Sequence, residues 1–534
     1  MHLIDGSGIL LFFLPVLILS YLAYKRVTTT ARDCRYANLR GKGEDDNREG
    51  LSLRGSLSGA YDNRKGLSLR GRMYGGGMIA GFGLRGYSVG SHRKFFNEEM
   101  EALPKQKLQA LQLERLQAIV ERAYTANQFY HAFYDEAGVK PSDIKHVEDI
   151  WKLPFLEKKT VRTAYPYGTA MKTPGEGGLL QLHATSGTTG KSVPVFATKR
   201  DIENWADLNA RELWMTGMRP GDVLMNCYGY GLPTGGFGFH YGAMAMDVMT
   251  IPMGSDARQY ERMFDFITDF GVTAFCMTPS VGLYVGNKAR ERGLDFRETK
   301  LKIGLFGAEP WPWETRRKLE DLFSITAYDE FGMTEFLGPG MTCECEVRDG
   351  MHAWADAFLV ECINPETGEP VDEGKDGELV WTWLTGDGTA MIRYRSRDLS
   401  RMWWEECPCG RTHPKIGAIK GRTDDAVSIR GLIVFPSQIE AALVQFPETG
   451  SNFRIIVDKK NGLDTFDLKV EVKDHTALEQ NEQVRGLQTQ MAAAVKSITG
   501  NTPHVELVPA DSLPRASGGE SKTASARVED RRKK

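Results

Sequence analysis

The chain has 534 residues, too many for one ordinary hydrophobic core, which points to two folded domains and an additional segment. Its 67 basic and 70 acidic side chains nearly cancel, which excludes a protein built mainly to hold nucleic acid or an anionic membrane and leaves small molecules as the expected partners. Eight cysteines over this length are too sparse for a disulfide scaffold and fit a reduced, cytoplasmic protein.

In chain order, the first feature is an uninterrupted apolar run, Gly8 to Tyr24, followed by Lys25 and Arg26. It is just long enough to span a bilayer, and with the positive charge on its C-terminal side an inserted run would tether the chain to the cytoplasmic face of a membrane. From Thr28 to Ser91 the sequence is rich in Gly, Arg and Ser and carries a near-duplicate, DNREGLSLRG at Asp46 and DNRKGLSLRG at Asp62. Two readings stand: a disordered linker, or residues ahead of a working start at Met73 or Met78. Residues 1–94 are therefore set apart from the folded protein.

Folded sequence is expected from Phe95, with a helix after Pro104 whose Leu108, Leu111, Leu116, Ile119 and Ala123 share a face. Between Gly221 and Gly332, strand-like VLMN, VTAFCM, LKIGLF and ITAYDEFG alternate with helix-like DARQYERMFDFITDF, a segment after Pro279, and WETRRKLEDLF. This alternation predicts an α/β fold with a parallel sheet, whose ligands bind outside the carboxyl ends of the strands. After Gly377 the pattern is strand-rich, with ELVWTWLT and AMIRYR. After Thr423 come RIIVD, DLKVEV, a long helical stretch and a short strand. The predicted division is a large domain over 95–422 and a small α+β domain over 423–534, with residues from Ser517 onward polar and mobile until substrate orders them.

The strongest local signal is TSGTTGKSVP, Thr185 to Pro194, between two strand-like runs. Gly187 and Gly190 let backbone approach a phosphate, Thr185, Ser186, Thr188 and Thr189 supply donors, and Lys191 supplies charge. The spacing is not that of a P-loop. Farther on, YGYGLPTGGFGFHYGA combines aromatic rings with glycines that open space, as an acyl pocket requires. Tyr230, Gly235, Gly236 and His240 are its candidate residues. Cys345 and His352, with Cys407 and Cys409 of CPCG, supply the three thiolates and one imidazole of a closed structural zinc site, with Cys343 competing for the first position.

The glycine-rich loop resembles the signature of the adenylate-forming, AMP-binding superfamily. The ordered series YGYGLPTGGFGFHYGA, MTPS, FGAEPW, YDEFGMTE, IRYRSRDL and GRTDDAVSIRGLIVFPSQIE resembles the phenylacetate-CoA ligase family within it, from Phe95 to the C-terminus. The resemblance implies a large AMP-binding domain with a mobile C-terminal lid, and an enzyme that uses ATP and Mg2+ to turn an aryl or arylacetic acid into an acyl-adenylate. The acyl group then passes to coenzyme A. It implies that Ala308, Glu309 and Pro310 line the adenine pocket, Tyr328 stacks on the base, Asp398 accepts from the ribose and Arg422 joins the nucleotide site. Glu335 would hold Mg2+, and Thr188 would act with it on the phosphates. Asp424 and Asp425 fall at the family's interdomain hinge. The catalytic lysine, usual in a segment like PRSxGKxxR, is expected at Lys522 in LPRASGGESKTASARVEDRR, where a short insertion displaces it. A homodimer is typical of the resemblance. Two other readings remain open: an adenylate-forming enzyme with a carrier-protein or deazaflavin acceptor, and a membrane-tethered nucleotide-binding protein without turnover.

Overall fold

The computed structural model describes residues 93–533 except 186–190, 233, 257–258, 424–425, 431, 461–462, 474–481, 511 and 514–526. The apolar run at 8–24 and the repeats at 46–71 lie outside the described residues. Among those described, no helix is long and apolar enough to cross a membrane.

The first long helix spans Lys105–Ala126, with Pro104 at its cap, where a missing N–H costs nothing. Its buried face is Leu108, Gln112, Leu116, Ile119, Val120 and Ala123. The expected Leu111 is only half-buried, and Gln112 takes the inward position, its amide donating to the Phe358 carbonyl at 3.5 Å.

Strands β1 (Leu179–Ala184) and β2 (Pro194–Thr198) form an antiparallel hairpin. A twelve-stranded sheet follows. Its parallel half holds β3 (Val223–Asn226), β4 (Met249–Pro252), β5 (Ala274–Met277), β6 (Ile303–Gly307) and β7 (Thr326–Met333). The other half is antiparallel: β8 (Gly338–Glu344), β9 (Met351–Ala353), β10 (Phe358–Ile363), β11 (Asp376–Trp383), β12 (Tyr394–Trp403), β13 (Lys415–Ile416) and β14 (Gly421–Arg422). The order is β10-β11-β12-β13-β9-β8-β7-β6-β5-β3-β4, with β14 on β12. Helices Gly236–Ala245, Tyr260–Asp269, Pro279–Glu291 and Trp313–Phe323 are the crossovers of the parallel half, and β5 and β6 are buried throughout, as strands covered on both faces must be.

One strand departs from expectation. AMIRYR was expected to be extended from Ala390, but β12 starts at Tyr394, because Arg393 adopts a left-handed φ of 55° and breaks the extension. The four residues before Tyr394 are instead buried irregular backbone, with the Ala390 carbonyl accepting from Tyr130 OH at 2.7 Å.

The C-terminal part comprises the hairpin β15 (Val427–Ile429) and β16 (Leu432–Val434), and a sheet of β17 (Thr449–Lys460), β18 (Leu463–Val472), β19 (His504–Pro509) and β20 (Val528–Asp530), ordered β19-β18-β17-β20. Helices Pro436–Leu443 and Glu482–Thr499 cover it, and Ile429, Ile455, Leu468, Met491 and Val495 belong to an apolar cluster of its own. The expectation of mobility from Ser517 onward fails at its end. Residues 528–530 pair in parallel with 455–457, and the Arg532 guanidinium donates to Asp464 and Asp530 at 2.9 Å, so backbone pairing and two carboxylates hold this stretch.

Candidate functional site

The carboxyl ends of β3, β5, β6 and β7 lie along one edge of the sheet, and the elements that follow them carry most of the expected site. The neck of the glycine-rich loop is closed by Thr185 and Val193: the Thr185 N–H donates to the Val193 carbonyl at 3.1 Å, and Thr185 Oγ1 accepts from the Val193 N–H at 3.0 Å. Ser186, Gly187, Thr188, Thr189 and Gly190 lie outside the described residues, as do Asp424, Asp425 and Lys522. Lys191, at the loop's far end, sets its ammonium 4.8 Å from the Tyr165 ring centre while its carbonyl accepts from Arg162 Nε at 2.9 Å. The helix Lys158–Thr163, which carries Arg162, thereby flanks the loop.

The same helix reaches the expected metal carboxylate. Glu335 is buried, its Oε1 accepts from Tyr394 OH at 2.9 Å, and Lys158 Nζ lies 3.6 Å from that oxygen. Burial, and then the carboxylate beside it, push the Tyr394 hydroxyl well above the usual phenol range, so it remains a donor. Neither Lys158 nor Tyr394 was anticipated. The one available signal was their setting, Lys158 in a cationic EKKTVR and Tyr394 four residues before Asp398.

Ala308 follows β6 in a left-handed conformation, φ 67°, which turns the chain across the end of the sheet. Glu309 Oε1 accepts from the Ser280 N–H at 2.7 Å, joining this loop to the helix Pro279–Glu291, and Pro310 follows half-buried. The register fixes where the expected base-stacking residue stands. Leu305 pairs with Tyr328 and Gly307 with Glu330, so Tyr328 sits three residues below Ala308 and the aromatic residue level with it is Phe331. Tyr328 and Phe331 are buried in the same apolar cluster, and burial pushes the Tyr328 hydroxyl up to about 12.

Asp398 and Arg422 face one another as a cross-strand pair of β12 and β14, Arg422 Nη1 lying 3.4 Å from Asp398 Oδ1. Asp398 is buried, and its neighbours Arg395 and Arg397 are drawn away to Glu378 and Glu157.

The expected acyl pocket is an aromatic wall. Tyr230 and His240 meet edge to face with Tyr230 OH 3.2 Å from His240 Nδ1, and Phe237 packs against Tyr230 with ring centres 5.3 Å apart. Burial holds the His240 imidazole below its ordinary pKa, hence neutral at pH 7. Packing leaves little room for a side chain here: a Cβ at Gly236 would lie 2.8 Å from the Tyr230 ring, and one at Gly235 a tight 3.1 Å from Tyr228. Tyr228 donates from its hydroxyl to Glu330 Oε1 at 2.8 Å, which joins this wall to β7.

The cysteine set also converges. One ligand atom from each of Cys345, His352, Cys407 and Cys409 lies within 4.8 Å of the others, all four residues buried. Cys345 Sγ is 3.7 Å from Cys407 Sγ, and Cys409 Sγ is 3.3 Å from His352 Nε2. His352 Nδ1 faces the His413 carbonyl at 3.4 Å, a contact that orients the ring. Cys343 points elsewhere, to the Glu344 carbonyl.

Residues 109–391 match the family model for the AMP-binding enzyme, and residues 431–532 match that for the AMP-binding enzyme C-terminal domain. The chain belongs to the AMP-binding enzyme family. Within this family it is 39% identical to the phenylacetate-coenzyme A ligase of Thermus thermophilus, over 79% of this chain and 97% of that one. Among solved AMP-binding enzymes it is similar to 2-hydroxyisobutyryl-CoA ligase in the postadenylation state with an acyl-AMP, at 28% identity and a TM-score of 0.76. To the same ligase in the thioesterification state with CoA, the identity is 29% and the TM-score 0.62. Each likeness covers 84% of this chain and 94% of the other. With these relatives, this AMP-binding enzyme is an AMP-forming acid–CoA ligase.

Proposed function

We propose that this ligase activates an aryl or arylacetic acid, phenylacetate being the first to test, and transfers its acyl group to coenzyme A. The observation that carries this reading is the aromatic wall in which Tyr230 meets Phe237 and His240 edge to face, tied through the Tyr228 hydroxyl to Glu330, the β7 residue that pairs with Gly307 just ahead of the Ala308–Pro310 loop. The sequence likeness to a phenylacetate-coenzyme A ligase supports it.

An ionised substrate carboxylate needs no general base. Its oxygen attacks the α-phosphorus of ATP, the bond from that phosphorus to the β-phosphate bridge breaks, and pyrophosphate leaves with the electron pair. The protein's task is to align the reactants and stabilise charge. Thr185 to Lys191 with Arg162 and Lys158 would neutralise the phosphates, Ala308 to Pro310 and Phe331 would enclose the base, and Asp398 would accept from the ribose beside Arg422. Glu335 is a buried carboxylate aimed by two donors and suits a hard cation, and Mg2+ bound there would neutralise phosphate charge. Lys522 would stabilise the transferring adenylyl group. In the second step the CoA thiol loses its proton and its sulfur attacks the acyl carbon, expelling AMP. Asp424 and Asp425 would be the pivot between the steps.

Cys345, His352, Cys407 and Cys409 would hold a structural Zn2+. Tetrahedral Zn–S bonds of about 2.3 Å place two thiolates about 3.8 Å apart, and Cys345 and Cys407 stand at 3.7 Å. The run at Gly8–Tyr24 would tether the protein to a membrane, which separating membrane and soluble fractions of full-length and Phe95-start chains tests. A homodimer would show in light scattering.

The deciding experiment is acid-dependent pyrophosphate release with ATP and Mg2+, across phenylacetate, benzoate, indoleacetate and fatty acids, with and without CoA. Steady turnover with phenylacetate or another aryl acid, requiring CoA, is expected. Turnover unaffected by CoA refutes the acceptor, and preference for fatty acids refutes the acid class.

A further inference from the structure

Arg527 stands between the C-terminal part of the ligase and the loop after β6. Its Nη1 donates to Glu440 Oε2 at 2.6 Å, and its Nη2 lies 3.9 Å from Glu309 Oε2. Its guanidinium lies 4.8 Å from the Phe453 ring centre, and its carbonyl accepts from the Ile455 N–H at 2.7 Å. Glu440, on the helix Pro436–Leu443, and Phe453, on β17, belong to the C-terminal body. Glu309 belongs to the loop after β6 and is fixed to Ser280. One guanidinium therefore serves a carboxylate from each side. The side chains of Glu309 and Glu440 are only 6% and 13% exposed, so without the shared cation two poorly solvated like charges would face each other.

Two further observations give this bridge a direction. The structure is more similar to the postadenylation form of 2-hydroxyisobutyryl-CoA ligase, at TM-score 0.76, than to its thioesterification form, at 0.62, with identity and coverage nearly equal. Lys522 lies five residues ahead of Arg527 in the chain.

We infer that Arg527 is a positioning residue for the adenylation half-reaction: by bridging Glu440 and Glu309 it selects the arrangement in which the acyl-adenylate is made, and it is released for thioester formation. The inference rests on the ligase reading above. Arg527 acts through the placement of the C-terminal body. A lysine here would keep the charge but has no fork with which to hold both carboxylates.

The test separates the half-reactions in the full-length protein, with the acid that the unmodified enzyme turns over fastest. Single-turnover pyrophosphate release reports the first step, and conversion of synthetic acyl-adenylate by CoA reports the second. Arg527→Gln is expected to slow the first roughly tenfold or more, as loss of a partly buried charge bridge would, and to leave the second unchanged or faster. Arg527→Lys should fall between. Glu440→Gln, which leaves Glu309 its partner, should slow the first step less than Arg527→Gln. Equal losses in both steps, or no loss in the first, overturn the inference while the unmodified enzyme still works. An unmodified enzyme that releases no pyrophosphate with any acid overturns the ligase reading, and this inference with it. Because the ratio of the two rates is the readout, a variant with less folded protein still gives a decisive answer.

Discussion

Tyr394, at the start of β12, and Glu335, in the short 3-10 turn Thr334–Phe336 after β7, stand 59 residues apart and are joined by a 2.9 Å hydrogen bond from the phenol to the carboxylate. The bond holds one carboxylate oxygen, with Lys158 on the same atom, and so sets the direction in which Glu335 presents itself. Tyr394→Phe should raise the Mg2+ concentration for half-maximal pyrophosphate release and lower the rate about tenfold, the scale of one hydrogen bond to a charged group. Glu335→Gln should lower the rate by about two to three orders of magnitude. Steady-state kinetics over a Mg2+ titration checks both.

His183 of β1 is buried among Trp205, Phe237 and Gln181, and burial holds its imidazole below the ordinary pKa of 6.5. Because the folded state binds this proton less readily than the unfolded one, its contribution to stability is complete above pH 6.5 and is lost as pH falls below it. Urea midpoints measured between pH 7.5 and 5 should fall over the lower part of that range, and His183→Phe should flatten the slope there.

Gly236 has the Tyr230 ring where a side chain would go. Gly236→Ala should displace that ring, raise KM for aryl acids more than KM for ATP, and cost about 1–3 kcal/mol in stability. Initial-rate kinetics with each substrate varied in turn, and thermal denaturation, measure these effects.

The cysteine cluster predicts about one zinc per chain by elemental analysis, the stoichiometry of one closed site. Cys409→Ser should abolish it and lower Tm, since binding to a structural site contributes directly to folding. A strong chelator applied during refolding should do the same to the unmodified protein.

Much of the parallel half of the sheet was legible because its strands are mostly short apolar runs and three of its crossovers amphipathic helices, so VLMN, the segment after Pro279 and WETRRKLEDLF fall at the expected places, whereas β4 and the helix Gly236–Ala245, apolar all round, were not expected. The meeting of Cys345, His352, Cys407 and Cys409 was legible because few residue types make such a set. Strand register was not. Whether Tyr328 or Phe331 stands at the mouth depends on pairing with Leu305 and Gly307, which no local pattern encodes. Lys158 and Tyr394 escaped notice because they come to Glu335 from 177 and 59 residues away, and only the folded sheet brings them together. Arg393 shows the same limit locally: its left-handed turn interrupts a run whose composition reads as strand.

The first helices are fastened by residues made far later. Glu101 pairs with Arg411 at 2.7 Å, both almost fully buried, Thr412 Oγ1 donates to the Leu103 carbonyl, and His413 Nε2 faces the Met100 carbonyl at 3.0 Å. On the ribosome, therefore, Met100, Glu101 and Leu103 lack these partners until some 300 more residues have emerged, about 15 to 60 seconds at ordinary synthesis rates. Phe96 and Asn97 meet Trp214 and Asp207 well before that, so the buried pair of Glu101 with Arg411 is the contact of this segment that must wait longest for its partner to be made.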